Sequence, residues 1–222
     1  MIPLRDTQRS NSAPVVTILI IVANALVFFY ELSLDPWSRN HLITVYGLVP
    51  DRLHLVSLVS SMFLHGGWLH IIGNMWFLWI FGDNVEDVLG HVQYLLFYFL
   101  CGLAAAGTQI LVSPDSAVPT IGASGAIAGV MGAYIVKFPH SRILTLVFIL
   151  ILFTTVEVPA ALFLGYWFVL QLFSGVGSVA DAHQSGGGIA WFAHVGGFLA
   201  GIILIKLLPT QKPYQRREDL YW

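Results

Sequence analysis

Hydrophobic positions in this chain fall into long unbroken runs, and the polar positions collect between them. A helix needs roughly 17 to 25 apolar residues to cross a bilayer. Such runs lie at Pro14 to Tyr30, Trp68 to Gly82, Tyr94 to Val112, Ile121 to Phe138 and Ile189 to Leu208; the second is short, and the stretch HGGWLHIIGN before Met75 can extend it. The apolar run from Ile143 to Phe173 is too long for one span, because 31 helical residues would reach about 46 Å against a hydrocarbon core of about 30 Å. VEVPA interrupts it, since Pro159 lacks a backbone donor and disfavours helix at Val158. The first part, Ile143 to Val156, has a length that lies in the interface or re-enters; the second, Ala160 to Phe173, is the fifth span. The pattern predicts an all-α membrane protein, a bundle of six transmembrane helices.

Charge orients the bundle. With six spans, one set of connecting segments holds Arg5, Arg9, Lys137, Arg142, Lys206, Lys212, Arg216 and Arg217, and the other holds only Arg39 and Arg52. Positively charged loops stay inside, so both termini are expected on the cytoplasmic side. Residues 1–13 then form an inner segment, 14–208 the membrane domain and 209–222 a basic inner tail. The outer loops are Glu31 to Gly67, Ser113 to Thr120 and Ser174 to Gly188. ELSLDPW after the first run offers no small-residue cleavage site, so that run reads as an uncleaved span.

Composition narrows the class. The chain of 222 residues is 57% hydrophobic and 10% charged, far below the roughly 25% charged residues of a soluble domain. A net charge of -2 without a basic stripe gives nucleic acid no electrostatic foothold. One cysteine, Cys101, makes neither a disulfide nor a cysteine metal site.

Polar groups inside a membrane are costly and therefore candidates for function. They concentrate near the starts of three spans: His70 and Asn74 in HIIGN, Ser124 in GASG and His194 in AHVGG. Spans 2, 4 and 6 run in the same direction, so these residues share one leaflet. A serine hydroxyl needs an adjacent base, and a neutral imidazole suits it; His194 would take the proton. His70 and Asn74, four apart, share a helix face and can donate to an oxyanion, joined by the backbone N–H of Ser124. No carboxylate lies in a span near His194, which implies a dyad. Gly125 and Gly129 on span 4 match Gly197 and Gly201 on span 6 in spacing, and with Gly122 they are expected to let the helices approach closely. Taken alone, Ser124 reads as a small packing residue; its partners turn the reading to catalysis.

At these residues the sequence resembles the rhomboid family of intramembrane serine proteases, with HIIGN for HxxxN, GASG for GxSG and AHVGGFLAG for AHxxGxxxG, in order, over about Tyr46 to Leu208. The resemblance implies Ser124 as nucleophile, His194 as base, His70 and Asn74 as oxyanion-stabilising pair, transmembrane segments of other proteins as substrates, and no metal or cofactor. The compact six-span form is similar to bacterial members, which implies a bacterial inner membrane.

Other polar residues read as structural. His65 is a loop residue, Asn24 and Gln109 are interhelical hydrogen-bonding groups, GDNVEDVLG is a turn and cap with Glu86 as internal glue, and Trp76, Trp79, Trp167 and Trp191 are packing or interface aromatics. Glu157 either snorkels to an interface or pairs with a basic neighbour. HQSGGG is a cap over the site or a plain loop. Two further functions compete with hydrolysis: a catalytically silent relative that binds membrane clients, and a metal-dependent protein using His65, His70 and His194. The second lacks an HExxH motif and an intramembrane carboxylate.

Overall fold

The computed structural model describes residues 2–149, 152–180 and 190–211. In chain order the elements are β1 (Ile2–Asp6), α1 (Val15–Ser33), α2 (Pro36–Tyr46), α3 (Ser57–Ser60), α4 (Trp68–Leu89), α5 (His91–Val112), α6 (Ser124–Lys137), β2 (Arg142–Ile149), β3 (Leu152–Pro159), α7 (Ala160–Ala180) and α8 (Trp191–Leu207). Six long helices fall on the six apolar runs. Among them, α1 and α5 are by themselves long and apolar enough to cross a membrane.

The core sits around α6, whose residues from Gly125 to Tyr134 are all buried. A helix that is apolar on every side belongs in the centre of its fold. α4, α5 and α8 surround it. The outer helices instead turn large apolar side chains outward: Leu19, Leu26 and Phe29 on α1, Leu69 and Trp79 on α4, Leu96 and Leu111 on α5, Leu162 and Phe173 on α7, Ile203 and Leu207 on α8. Soluble monomers rarely expose so continuous an apolar surface, and a lipid environment is its natural solvent.

Several boundaries differ from the sequence expectation, each for a tertiary reason. GDNVEDVLG is no turn: α4 continues through Leu89, because Val85, Val88 and Leu89 keep the helical apolar spacing and are buried. The Glu86 side chain is paid for by α1, where Oε1 and Oε2 accept the Val16 and Thr17 N–H groups, each at 2.8 Å. The chain then reverses at Gly90, whose φ of 76° suits glycine. α7 runs on to Ala180, past the expected end at Phe173, so residues 174–180 of the expected 174–188 loop are helical; HQSGGG and Asp181 lie outside the described residues.

The largest correction is the segment from Ile143 to Val156, expected as an interfacial or re-entrant stretch of an all-α protein. It forms the antiparallel pair β2–β3, which β1 extends to a three-stranded sheet in the order β1-β2-β3. Ile143, Thr145 and Val147 pair with Val158, Val156 and Thr154, β-branched residues throughout, and such side chains prefer the pleated surface. Pro159 closes β3 and α7 begins at Ala160, so the break falls where the proline predicts it. Glu157 pairs with Arg142 at 3.6 Å across the sheet, the second of its two readings.

The sequence 31–67 is largely structured rather than a bare loop. Asp35 caps α2 by accepting the Trp37 and Ser38 N–H groups. Buried Glu31 accepts the His65 N–H at 3.0 Å, and Arg39 donates to the His65 carbonyl at 3.2 Å. Thus α1, α2 and the approach to α4 are tied together at one point. Asn24 does not bridge helices as expected, because its amide donates to Ile20 O within α1.

Candidate active site

The three parallel helices α4, α6 and α8 bring the predicted residues to one end of the bundle. Asp6 sets a common level between α4 and α6, since its Oδ2 accepts from both Asn84 at 3.0 Å and the Tyr134 hydroxyl at 2.5 Å. Ten residues back along each helix, about 15 Å, stand Asn74 and Ser124. α6 has only 14 residues, about 21 Å, against 22 residues and about 33 Å for α4. Its N-terminus is therefore recessed below the surrounding helix ends.

Glycines set the α6–α8 spacing. A Cβ on Gly197 would overlap the Gly125 carbonyl, and one on Gly201 the Gly129 carbonyl, so the two backbones touch at both levels. One turn from the first contact, His194 Nε2 lies 2.7 Å from Ser124 Oγ, across a sequence separation of 70 residues. This is hydrogen-bond distance. With an unprotonated Nε2, the serine O–H donates to the imidazole, the geometry that activates a hydroxyl.

Gly122 departs from its expected role. It precedes α6, has φ 117°, and its N–H donates to Ser61 O at 2.8 Å. Rather than packing helices, it opens space for the polar groups of α4: a Cβ there would stand 2.7 Å from His70 Nε2 and 3.6 Å from Asn74 Nδ2. His70 Nδ1 accepts the Gly66 N–H at 3.3 Å, which leaves Nε2 to carry the ring proton and face that space. Buried Asn74 Nδ2 has no hydrogen-bond partner among the described residues. Ser124 is the first residue of α6, where backbone N–H groups have no intrahelical acceptor. The His70 and Asn74 donors thus converge on the space beside Gly122, two residues before Ser124.

Sequence reasoning missed one member of the site. The other ring nitrogen, His194 Nδ1, lies 2.7 Å from Gln171 Oε1 on α7. The imidazole therefore has a second hydrogen-bond partner, a neutral amide rather than a carboxylate. The available signal was a polar residue inside an apolar span. Trp167 and Trp191, expected as packing aromatics, lie against the same ring, with centroids 5.8 and 6.4 Å away. His65 stays structural: its Nδ1 lies 3.2 Å from Phe63 O, and its ring packs on His70 at 5.0 Å. No cluster of three metal-ligating side chains forms among the described residues.

The family model described as Rhomboid domain matches residues 52–211, more than half of the chain. The chain belongs to the rhomboid family. It is 29% identical over 169 residues to Rhomboid protein 1, mitochondrial, of Saccharomyces cerevisiae, covering 74% of this chain and 45% of that protein. It is 29% identical over 193 residues to Rhomboid-like protein 11, chloroplastic, of Arabidopsis thaliana, covering 84% and 66%. To the Presenilin-associated rhomboid-like protein, mitochondrial, of Mus musculus it is 32% identical over 143 residues, covering 63% and 36%. The chain thus spans between about a third and two thirds of the length of these relatives. An integral membrane protein fits the rhomboid domain, and the family includes intramembrane serine proteases that act on membrane proteins. The relatives carry organellar names, so they lend no support to the expected bacterial inner membrane.

Proposed function

We propose that this rhomboid is an active intramembrane serine endopeptidase that hydrolyses peptide bonds in or near transmembrane segments of other membrane proteins. The observation that carries the reading is the 2.7 Å contact between Ser124 Oγ and His194 Nε2, joined by an Asn74 Nδ2 that has no hydrogen-bond partner among the described residues. Ser124 attacks the scissile carbonyl carbon while its proton passes to His194 Nε2. The oxyanion is held by His70 Nε2, Asn74 Nδ2 and the Ser124 N–H. His194 then protonates the leaving amine, giving an acyl-enzyme. A water molecule, deprotonated by the same nitrogen, attacks the ester and releases the new carboxylate, restoring Ser124.

Topology belongs to the same proposal. Six spans place both termini and the sheet on the cytoplasmic side, with residues 14–208 as the membrane domain and the recessed end of α6 opening outward to water. Arg5, Lys137, Arg142 and Lys206 at the sheet end of the bundle, with Arg39 and Arg52 at the other, support this orientation. Substrate reaches Ser124 laterally from the bilayer between α4 and α7. α7 leans chiefly on α8, and the α4–α7 seam is thinly packed among the described residues.

The test is cleavage of a transmembrane reporter in liposomes by wild type, Ser124→Ala and His194→Ala in parallel. Both variants lose cleavage, and Ser124→Ala also loses labelling by a fluorophosphonate. Cleavage by Ser124→Ala at the wild-type rate would refute the proposal. A wild type that binds membrane clients but neither cleaves nor labels would instead be the silent relative.

A further inference from the structure

His194 must present a lone pair, not a proton, at Nε2 if it is to take the proton of Ser124. A neutral imidazole carries its proton on either nitrogen, and the bond made by the other nitrogen decides which. Trp167 and Trp191 fix where the ring lies, but an aromatic face does not choose between tautomers. The group that can choose is Gln171, buried on α7, with Oε1 2.7 Å from Nδ1. Trp167 and Gln171 are four apart on α7, so one helix face both supports the ring and contacts its remaining nitrogen.

Resting on the serine-hydrolase reading above, we propose that Gln171 is a positioning residue: its carbonyl oxygen accepts the Nδ1–H of His194 and so holds the base with its Nε2 lone pair toward Ser124. The amide thereby fills the orienting place that a carboxylate fills in a Ser-His-Asp triad, without that group's charge. When His194 becomes an imidazolium in the transition state, a carboxylate would stabilise it with a full charge, whereas Gln171 offers a dipole only. The proposal also gives α7 a second task. The helix that walls the proposed substrate path carries the acceptor, so a substrate that drives α7 away from α8 removes the support of its own catalytic base. The serine is fully activated only when α7 is seated on α8.

The single-turnover rate of fluorophosphonate labelling at Ser124 isolates this step, because the probe is small and needs no transmembrane segment to pass between helices. Gln171→Met keeps the volume and removes the acceptor; labelling and the kcat for a transmembrane reporter fall about 100-fold with KM unchanged. Gln171→Glu, which as a carboxylate can only accept, keeps labelling within a few-fold of wild type or raises it. Gln171→Asn, one methylene shorter, withdraws the oxygen from Nδ1 and behaves like Gln171→Met even if the latter variant folds poorly. Thermal unfolding in detergent identifies a variant whose loss is merely structural. Labelling of Gln171→Met and Gln171→Asn at the wild-type rate would overturn the inference and leave the hydrolase reading standing. Loss in Gln171→Glu equal to that in Gln171→Met would overturn it too, because the amide would then be donating. A raised KM with unchanged kcat and labelling would assign Gln171 to the substrate path instead. Wild type that never labels would remove the hydrolase reading itself, and this inference with it.

Discussion

The two ends of α4 show what separates a polar cluster closed by the fold from one left open. At the sheet end, Glu86 is saturated: its two oxygens accept the Val16 and Thr17 N–H groups, and Oε1 also meets His91 Nδ1 at 2.6 Å. Asp87 beside it accepts the Ser12 N–H at 3.0 Å and Asn11 Nδ2 at 3.1 Å. These groups close the N-terminus of α1, whose first N–H groups would otherwise be orphaned. At the other end, the buried Asn74 Nδ2 is without a partner among the described residues, and His70 Nε2 faces the space beside Gly122. A buried donor left unpaired costs about 1 to 3 kcal/mol. The same helix thus carries polar groups that are spent on the fold and polar groups held in reserve, and only the reserve can answer a charge that appears during a reaction.

Substitution at the two ends should therefore fail in opposite ways. Asn74→Ala is expected to lower kcat by about 10² to 10³, the usual loss for one oxyanion donor, with little change in the detergent melting temperature, since its Nδ2 makes no hydrogen bond among the described residues. Glu86→Ala is expected to cost about 3 kcal/mol of stability by stranding two buried N–H groups, while the folded fraction labels with fluorophosphonate at the wild-type rate. Melting curves and labelling rates on the same preparations check both. A strongly destabilised Asn74→Ala, or a folded Glu86→Ala that labels slowly, would erase the distinction.

The packing at the reactive end offers the next test. Gly197 and Gly125 touch backbone to backbone one turn from the Ser124–His194 bond. Gly197→Ala must push α8 from α6 by a fraction of an ångström to an ångström, because the obstacle is a carbonyl rather than a flexible side chain. A displacement of 1 Å at a reacting pair costs about 10² in rate. The labelling rate should fall accordingly. At Gly165 on α7 a Cβ meets nothing within 4 Å among the described residues, so Gly165→Ala serves as the silent control.

What was legible in the sequence followed from how local each signal is. Apolar run length is a local property, and all six long helices were legible from it. That Ser124, His194, His70 and Asn74 gather at one end of the bundle was legible because polar groups in apolar helices are few and their spacings repeat along one face. Helix ends were not, since α4 is prolonged by a carboxylate whose acceptor duty lies 69 and 70 residues away. β1 was invisible for the same reason: IPLRD has no strand signature of its own and exists by pairing with residues 143 to 146. The β2–β3 hairpin did carry a signal, its alternating β-branched residues, but a length argument framed for helices conceals it. Gly122 lies in a glycine-rich stretch that reads as helix packing, and only its positive φ reveals a different role. Gln171 bears the same mark as Asn24 and Gln109, a polar side chain in an apolar span, and nothing in one dimension distinguishes the one that reaches the site.

The smallest effect expected belongs to the sheet end and to pH. Asp6 receives the Tyr134 hydroxyl and the Asn84 amide, with Asp83 nearby, and burial pushes its carboxyl up to about 7, the neighbouring negative charge adding to the rise. A carboxyl whose folded value lies above its ordinary value of 3.8 holds its proton more tightly in the folded state than in the unfolded one. Its contribution to stability is therefore complete below about pH 4 and declines as pH rises towards 7; above that the buried carboxylate is a standing cost. The melting temperature should drop by a few degrees between pH 5 and pH 8, and Asp6→Asn, which keeps an acceptor for Tyr134 but cannot ionise, should flatten that drop. The labelling rate at Ser124 gives the comparison its sharpest form: Asp6 acts at the end of α6 opposite the serine, so Asp6→Asn should leave the pH profile of labelling unchanged while altering that of melting. A labelling profile that moves with Asp6 would mean that the two ends of the bundle are not independent.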